Sequence, residues 1–447
     1  MATPPQPLAD LKAMDYSVIQ QCMHCGMCLP TCPTYDATKR ERHSPRGRIA
    51  IMRAIADDEL VINQDFAEEM DYCLGCLACQ SACPANVDYA QLFETARAAS
   101  EEHRQRPGVM RWLYRKLTLS LLFRHPVLMR LFGRAMRWTQ QTGLQAWFVE
   151  STFCQWLPKK WQRLMTMTPR IASQFSDELI ARVETPSGDI KFRVGLLTGC
   201  IQDLAYASVN RDTCDVLLAN GCEVITPRAQ PCCGSIHGHN GEVALAQEMA
   251  RKNIDAFPLA RLDAIITNAG GCGSHLRHYG RLLADDPEYA ERAELWDGKV
   301  RDIHEWLNAI GVRAPKSVAK PMVVTYHESC HLCHGQGVSD EPRNVLAQVP
   351  GLELRELTEA SWCCGSAGVY SITQPETSDD LLQRKTKHLL ATKADVVATA
   401  NPGCDLQLQR GLDEAGSSMR VVAPVSLLAE AYRAESKSLA TKSAAQA

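Results

Sequence analysis

The chain has 447 residues, room for about three domains at the usual ~150 residues each, and its 45% hydrophobic and 22% charged residues are the balance of an ordinary soluble globular protein. That balance excludes collagen-like, disordered and wholly membrane-embedded chains, and a net charge of −3 argues against a chain built to grip nucleic acid. The 20 cysteines are the informative count. The opening residues, MATPPQPLAD, show no basic flank followed by an apolar core, so no secretory signal is read there. No apolar run reaches the ~18 residues that span a bilayer. In a reducing compartment this many cysteines bind metal or do redox chemistry rather than form disulfides.

Residues 1–102 read as a helical two-cluster ferredoxin domain. Cys22, Cys25, Cys28 and Cys32-Pro33 form one run, and Cys73, Cys76, Cys79 and Cys83-Pro84 repeat it with the same spacing. Three thiolates two residues apart wrap one face of a cubane, and the fourth ligand crosses from the other run, as in bacterial-type ferredoxins. The spacing therefore predicts two [4Fe–4S] clusters. Cys22, Cys25, Cys28 and Cys83 hold one, and Cys73, Cys76, Cys79 and Cys32 the other. Paired zinc sites would be satisfied by CxxC pairs and leave the triple plus a distant Cys-Pro without purpose. Gly26 and Gly75 relieve crowding where the backbone nears a cluster, and Pro33 and Pro84 are expected to stop the local helix. Between the runs, Ile49, Met52, Ile55 and Leu60 lie at near-helical spacing. Lys39, Arg40, Arg42, Arg46 and Arg48 stand there against the single acid Glu41. Compensation of the anionic clusters and a solvated helix face both account for them.

Residues 103–189 read as a basic, aromatic helical connector. Thirteen Lys and Arg between 103 and 176 face the single acid Glu150, a local charge of +12. Trp112, Trp138, Trp147, Trp156 and Trp161 lie here, and Val109, Leu113, Leu117, Leu121, Leu128, Leu131 and Phe132 recur among the arginines at helical spacing. Apolar and aromatic residues on one side with Lys and Arg on the other describe a helix lying in a membrane interface. A docking surface for a partner subunit has the same pattern.

Residues 190–315 and 316–447 read as two copies of one α/β unit, the second followed by a C-terminal tail. Short apolar runs at Arg193, Glu223 and Ala264 lead into Cys200, Cys232-Cys233-Gly234 and Cys272; runs at Val323, Leu352 and Val396 lead into Cys330, Cys363-Cys364-Gly365 and Cys404. Matching cysteines are offset by 130, 131, 131 and 132 residues, an internal duplication. Alternating strands and helices imply parallel sheets with the cysteine-rich loops at the strand carboxyl ends, where such folds bind ligands. Cys200, Cys232, Cys233 and Cys272, and Cys330, Cys363, Cys364 and Cys404, are thus candidate ligands of further iron–sulfur clusters, with a redox-active dithiol as the rival. Cys154, Cys214 and Cys222 read as packing cysteines. Cys333 falls outside the duplication, and His237, His239, His327, His331 and His334 near the loops receive no assigned role. No G-x-G-x-x-G fingerprint of a flavin or nicotinamide site is present.

The run Cys22 to Pro33, Ser44-Pro45-Arg46-Gly47-Arg48, the run Cys73 to Pro84 and the two Cys-Cys-Gly repeats together resemble the bacterial glycolate oxidase iron–sulfur subunits, over about residues 15–435. The resemblance implies a partner subunit whose FAD oxidises glycolate to glyoxylate and a second flavin-domain subunit. It also implies a peripheral place on the cytoplasmic face of the inner membrane, with electrons passing to a quinone or another membrane acceptor. The Cys-Cys-Gly pattern is shared with heterodisulfide reductases and with lactate and anaerobic glycerol-3-phosphate dehydrogenases. An iron–sulfur subunit of one of those dehydrogenases, or a disulfide or quinone reductase acting at the repeats, is the alternative function. Where heterodisulfide reductases end each repeat with Cys-x-x-Cys, this chain has His275 and Gln407. Hydride removal needs a cofactor such as FAD, so this chain is expected to carry electrons and to lack the substrate-oxidising site.

Overall fold

Side-chain oxygens set the helix starts of the N-terminal module. In the computed structural model, which describes residues 11, 16–103, 108–157, 159–316 and 321–446, Ser44 accepts from the Gly47 amide at 2.9 Å and begins the helix Pro45–Ala56. Asn63 accepts from Phe66 and begins Gln64–Asp71; Asp88 accepts from Gln91 and begins Tyr89–Glu102. Ile49, Met52, Ile55, Phe66, Met70, Leu92 and Phe93 close one core between these helices. Leu60 does not join it. The helix ends at Ala56, Asp58 takes a left-handed φ of +64°, and Leu60 is exposed in the turn that follows. Pro33 also departs from expectation, because it opens the helix Pro33–Thr38 instead of ending one. Its missing N–H is not needed in a first turn and its fixed φ suits the position. Pro84 does follow a short helix, Ala78–Ser81. The opening MATPPQPLAD lies outside the described residues.

The connector is helical, through Val109–Arg115, a π-helical stretch Lys116–Leu122, Pro126–Gln141, Leu144–Glu150, Thr152–Trp156 and Lys159–Thr166. Its charge faces inward. Arg115 pairs with Glu242 at 2.7 Å, Arg124 with Glu248 at 2.9 Å, and Arg163 with Asp379 at 2.7 Å. Arg130 bridges Asp177 at 2.6 Å and Asp203 at 3.1 Å. Part of the positive segment is thus paired with carboxylates of the acidic remainder of the same chain. The opposite face leaves Trp138, Trp147 and Trp156 at 60%, 67% and 85% exposure, beside exposed Trp112, Leu117, Leu131 and Phe132. The Trp161 side chain lies outside the described residues.

Each copy of the α/β unit builds its own sheet. The first contains β1 (Val183–Glu184), β2 (Phe192–Leu196), β3 (Cys222–Ile225), β4 (Ala264–Thr267) and β5 (Val300–Asp302), in the order β1-β3-β2-β4-β5. The second contains β6 (Met322–His327), β7 (Leu352–Arg355), β8 (Val396–Thr399) and β9 (Arg420–Val422), in the order β7-β6-β8-β9. All pairs are parallel except β1–β3, an antiparallel edge that the repeat pattern did not predict. The registers match: Val194 lies beside Val224 and Ala264, and Val324 beside Leu354 and Val396. The copies are not independent. Val425, Leu428 and Tyr432 of the C-terminal helix Pro424–Gln446 join the core of the first sheet, and Asn220 donates to the Tyr432 hydroxyl at 3.2 Å.

Arg130→Met removes a guanidinium shared by two carboxylates and leaves Asp203 without its cationic partner. Limited tryptic digestion should then cut the connector several-fold faster than in the wild type while iron content is unchanged; equal digestion rates would show that the charge pairing does not hold the connector down.

Candidate metal centres

Two cavities divide the eight N-terminal cysteines. Cys22, Cys25, Cys28 and Cys83 line one of about 460 Å³, with Met23, Met27, Arg46 and Ile49 on its walls. Cys32, Cys73, Cys76 and Cys79 line the other, of about 290 Å³, with Thr34, Arg48, Leu77 and Tyr89. Cys79 also touches the first cavity, so the two adjoin. Cys32 lies with the second run and Cys83 with the first, the crossed arrangement that the spacing predicts. Four thiols converge on each hollow and its polar lining is chiefly thiol, which fits a multi-iron cluster held by soft ligands. Burial pushes the Cys22 and Cys28 thiols up, and Cys76 and Cys79 further still. Thiols pushed up in this way ionise at neutral pH only when a positive centre takes the proton's place.

Local backbone follows from these hollows. Gly26 and Gly75 adopt φ of +88° and +63°, which glycine alone adopts without strain. A Cβ on Gly75 would stand 2.7 Å from the Phe93 ring, and one on Gly26 2.9 Å from the Arg46 guanidinium. The basic run is split in its roles. Arg46 lines the first cavity and donates to the His24 carbonyl at 3.0 Å. Arg48 lines the second and is fully buried, donating to the Glu69 carbonyl at 3.0 Å, the His43 carbonyl at 2.8 Å and Thr34 Oγ1 at 3.2 Å. Lys39 and Arg42 instead pair with Asp36 and Glu69 near the surface.

The repeat cysteines occupy equivalent places beyond the strand ends. In the first copy Cys200 follows β2, Cys232 and Cys233 follow β3, and Cys272 sits in the helix Gly270–Leu276 after β4. The Cys232 and Cys200 sulfurs lie 3.4 Å apart, and Cys233 adjoins Cys272. In the second copy Cys363 adjoins Cys330 and Cys364, and Cys364 in turn meets Cys404. Cys363 and Cys404, with His327, hold the Cys364 thiol well below the usual range. Both sets of four are thus brought together. Cys214 and Cys222 are buried in the first sheet's core and Cys154 is buried within the connector, as packing residues would be. Cys333 contacts Glu328 Oε2 at 3.2 Å.

The histidines have separate environments. His237 meets the Leu119 carbonyl, His334 the Ser81 hydroxyl and His331 the Gly75 carbonyl. His239 and His275 lie against half-buried Glu94, whose carboxyl they hold well below the usual range against the cost of desolvation. Gln407, at the other departure from Cys-x-x-Cys, donates to Ser378. Glu94 and buried Lys385 were not found from sequence. Glu94 lies in an ordinary amphipathic helix, and only the fold brings Lys385 beside Cys363, Cys364 and Cys404.

The sites adjoin one another. Cys76 of the second cavity is close enough to Cys330 for their charges to interact, and Leu74 packs with Cys363 and Tyr370. The copies meet through Asn401, which accepts from the Gly271 amide at 3.0 Å and donates to Cys404 Sγ at 3.5 Å.

Residues 18–87 match the family described as the 4Fe-4S dicluster domain, and residues 194–277 and 324–409 each match the cysteine-rich domain. The chain is therefore an iron–sulfur protein built from one dicluster domain and two cysteine-rich domains. It is 38% identical to the probable glycolate oxidase iron-sulfur subunit of Bacillus subtilis (strain 168), over 94% of this chain and 95% of that one. It is 29% identical to the glycolate oxidase iron-sulfur subunit of Escherichia coli (strain K12), over 88% and 90%. Lactate utilization protein A of Shouchella clausii is 32% identical over 51% of this chain and 95% of that protein. The chain belongs to the family of glycolate oxidase iron–sulfur subunits.

Arg48→Met should cost about 3 kcal/mol, since two carbonyls and Thr34 lose a buried charged donor. Unfolding of the N-terminal module, followed by bleaching of the cluster absorbance in urea, should come at clearly lower denaturant; an unmoved midpoint would show that Arg48 is dispensable there.

Proposed function

We propose that this chain is the electron-transfer subunit of a complex that oxidises glycolate to glyoxylate, receiving electrons from the FAD of a partner subunit and delivering them toward a quinone or another membrane acceptor, with a second flavin-domain subunit in the assembly. The observation that carries the reading is the continuous series of thiol-lined sites. The first cavity adjoins the second through Cys79, the second adjoins the later repeat through Cys76 and Cys330, and that repeat adjoins the earlier one through Asn401. Bound iron–sulfur clusters supply one-electron transfer, which needs closely spaced sites and no movement of the protein. In this reading Cys22, Cys25, Cys28 and Cys83 hold one [4Fe–4S] cluster, and Cys32, Cys73, Cys76 and Cys79 the other. Cys200, Cys232, Cys233 and Cys272, and Cys330, Cys363, Cys364 and Cys404, hold the further centres. Arg46 and Arg48 place positive charge at the first two sites and favour their reduced, more negative states. The full names of the two long relatives support glycolate over lactate, because the lactate relative covers only half of this chain.

Protein purified anaerobically should contain about eight iron and eight sulfide from the N-terminal module, with iron beyond that number from the repeats. Cys25→Ser/Cys28→Ser should remove about four iron, and Cys232→Ser/Cys233→Ser and Cys363→Ser/Cys364→Ser should each remove part of the excess. Electron flow from the flavin subunit should fail in these variants while glycolate still reduces the flavin. Stoichiometric zinc without acid-labile sulfide would refute the reading.

The same proposal places the chain at the cytoplasmic face of the inner membrane. Among the described residues no helix is long and apolar enough to cross a membrane, and attachment would be by the exposed apolar face of the connector. Arg115, Arg124, Arg130 and Arg163 are engaged within the chain, so the contact is apolar more than electrostatic. Binding to vesicles of bacterial polar lipids should survive high salt and fall at least tenfold in Trp138→Ser/Trp147→Ser/Trp156→Ser. Release by salt alone, or undiminished binding of the triple variant, would move the contact elsewhere.

A further inference from the structure

We propose that His327 supplies an imidazole nitrogen to the iron–sulfur centre of the second repeat, so that the two repeats carry chemically different centres. The proposal rests on the reading that the repeats hold such centres, and it adds a fifth donor to four thiols. β6 ends at His327, so the ring leaves the carboxyl end of the strand just before Cys330 opens the helix Cys330–Gln336. A ring nitrogen of His327, Cys364 Sγ and Cys404 Sγ all lie within 4.8 Å of one another, and all three residues are buried. Cys363 joins this group to Cys330. Five donors exceed the four of a closed tetrahedral zinc site, and they suit a cluster with several iron atoms.

The state of the ring supports a ligand role. His327 is 1% exposed, and its ring nitrogens have no polar partner besides the Cys364 thiol that they face. A buried polar group left in that condition costs free energy that coordination would offset. His331 and His334, by contrast, each bond to an oxygen, the Gly75 carbonyl and the Ser81 hydroxyl.

The first repeat has no counterpart. Leu197 stands three residues before Cys200 as His327 stands three before Cys330, and it is buried in the same apolar cluster as Cys232 and Cys233. The neighbouring charge differs as well. Lys385 is buried beside the second set of thiols, with its ammonium donating to the Glu359 and Ala360 carbonyls. On the matching helix before β4, the neutral Asn253 donates to the Cys232 carbonyl. A neutral imidazole ligand and a nearby cation both raise the reduction potential of a cluster. The second-repeat centre is therefore the more readily reduced of the two, and it is the one that adjoins Cys76.

The test uses the full chain, purified anaerobically with isotopically labelled histidine. Pulsed EPR of the reduced protein should show a directly coordinated imidazole nitrogen that is lost in His327→Leu and kept in His331→Leu. His327→Cys, which retains a donor atom, should keep its iron, lose the nitrogen coupling and lower the midpoint potential of that centre. Iron above about eight per chain with no imidazole coupling in the wild type, or coupling that survives His327→Leu, overturns the role of His327 and leaves the iron–sulfur reading standing. No iron beyond that number, or zinc in its place, overturns the reading of the repeats, and the ligand proposal falls with it.

Discussion

Thiols crowded together repel one another once ionised, and this constraint shapes the whole molecule. Four such sets occur here, each assembled from parts of the chain that no short loop could bring together. In the N-terminal module Cys32 lines the hollow of the second run and Cys83 that of the first, which ties the two runs together. Around them the fold supplies the positive groups that concentrated sulfur requires. Arg48 is buried at the wall of the second cavity, and Arg46 stands at the wall of the first.

The repeats solve the same problem with sheets. A parallel strand releases its chain at the carboxyl end, and three adjacent strands release three loops side by side. One cysteine, a Cys-Cys pair and one more cysteine therefore meet from segments far apart in sequence. Duplication doubles the arrangement, but the copies then differ in detail: His327 against Leu197, Lys385 against Asn253, and a helix at the end of the second copy that completes the core of the first. Two copies so interlocked hold their sites at fixed separation, as electron transfer without moving parts requires.

The connector shows how composition misleads when the fold is not known. Its excess of arginine suggests a cationic face, yet Arg115, Arg124, Arg130 and Arg163 are each bound to a carboxylate of the body. The tryptophans are what it presents outward. An ion pair across a partly buried seam gains more than the same charges gain in water, and so the charged side turned in.

The sequence alone determined the two ferredoxin runs, the exchange of their last cysteines, the duplication and the strands that carry it, because those features lie in short-range spacing and periodicity. It also placed Cys154, Cys214 and Cys222 among the packing residues. It could not show that Leu60 falls past a helix end, that Pro33 starts a helix, or that β1 runs antiparallel at the edge, since each depends on how the flanking chain is taken up. Tertiary structure alone decided which face of the connector meets solvent, and it alone brought Cys76 to Cys330, Glu94 to His239 and His275, and Lys385 and His327 to the second set of thiols. Those contacts join residues hundreds of positions apart or from separate elements, and no local pattern records a meeting that only the packed fold creates.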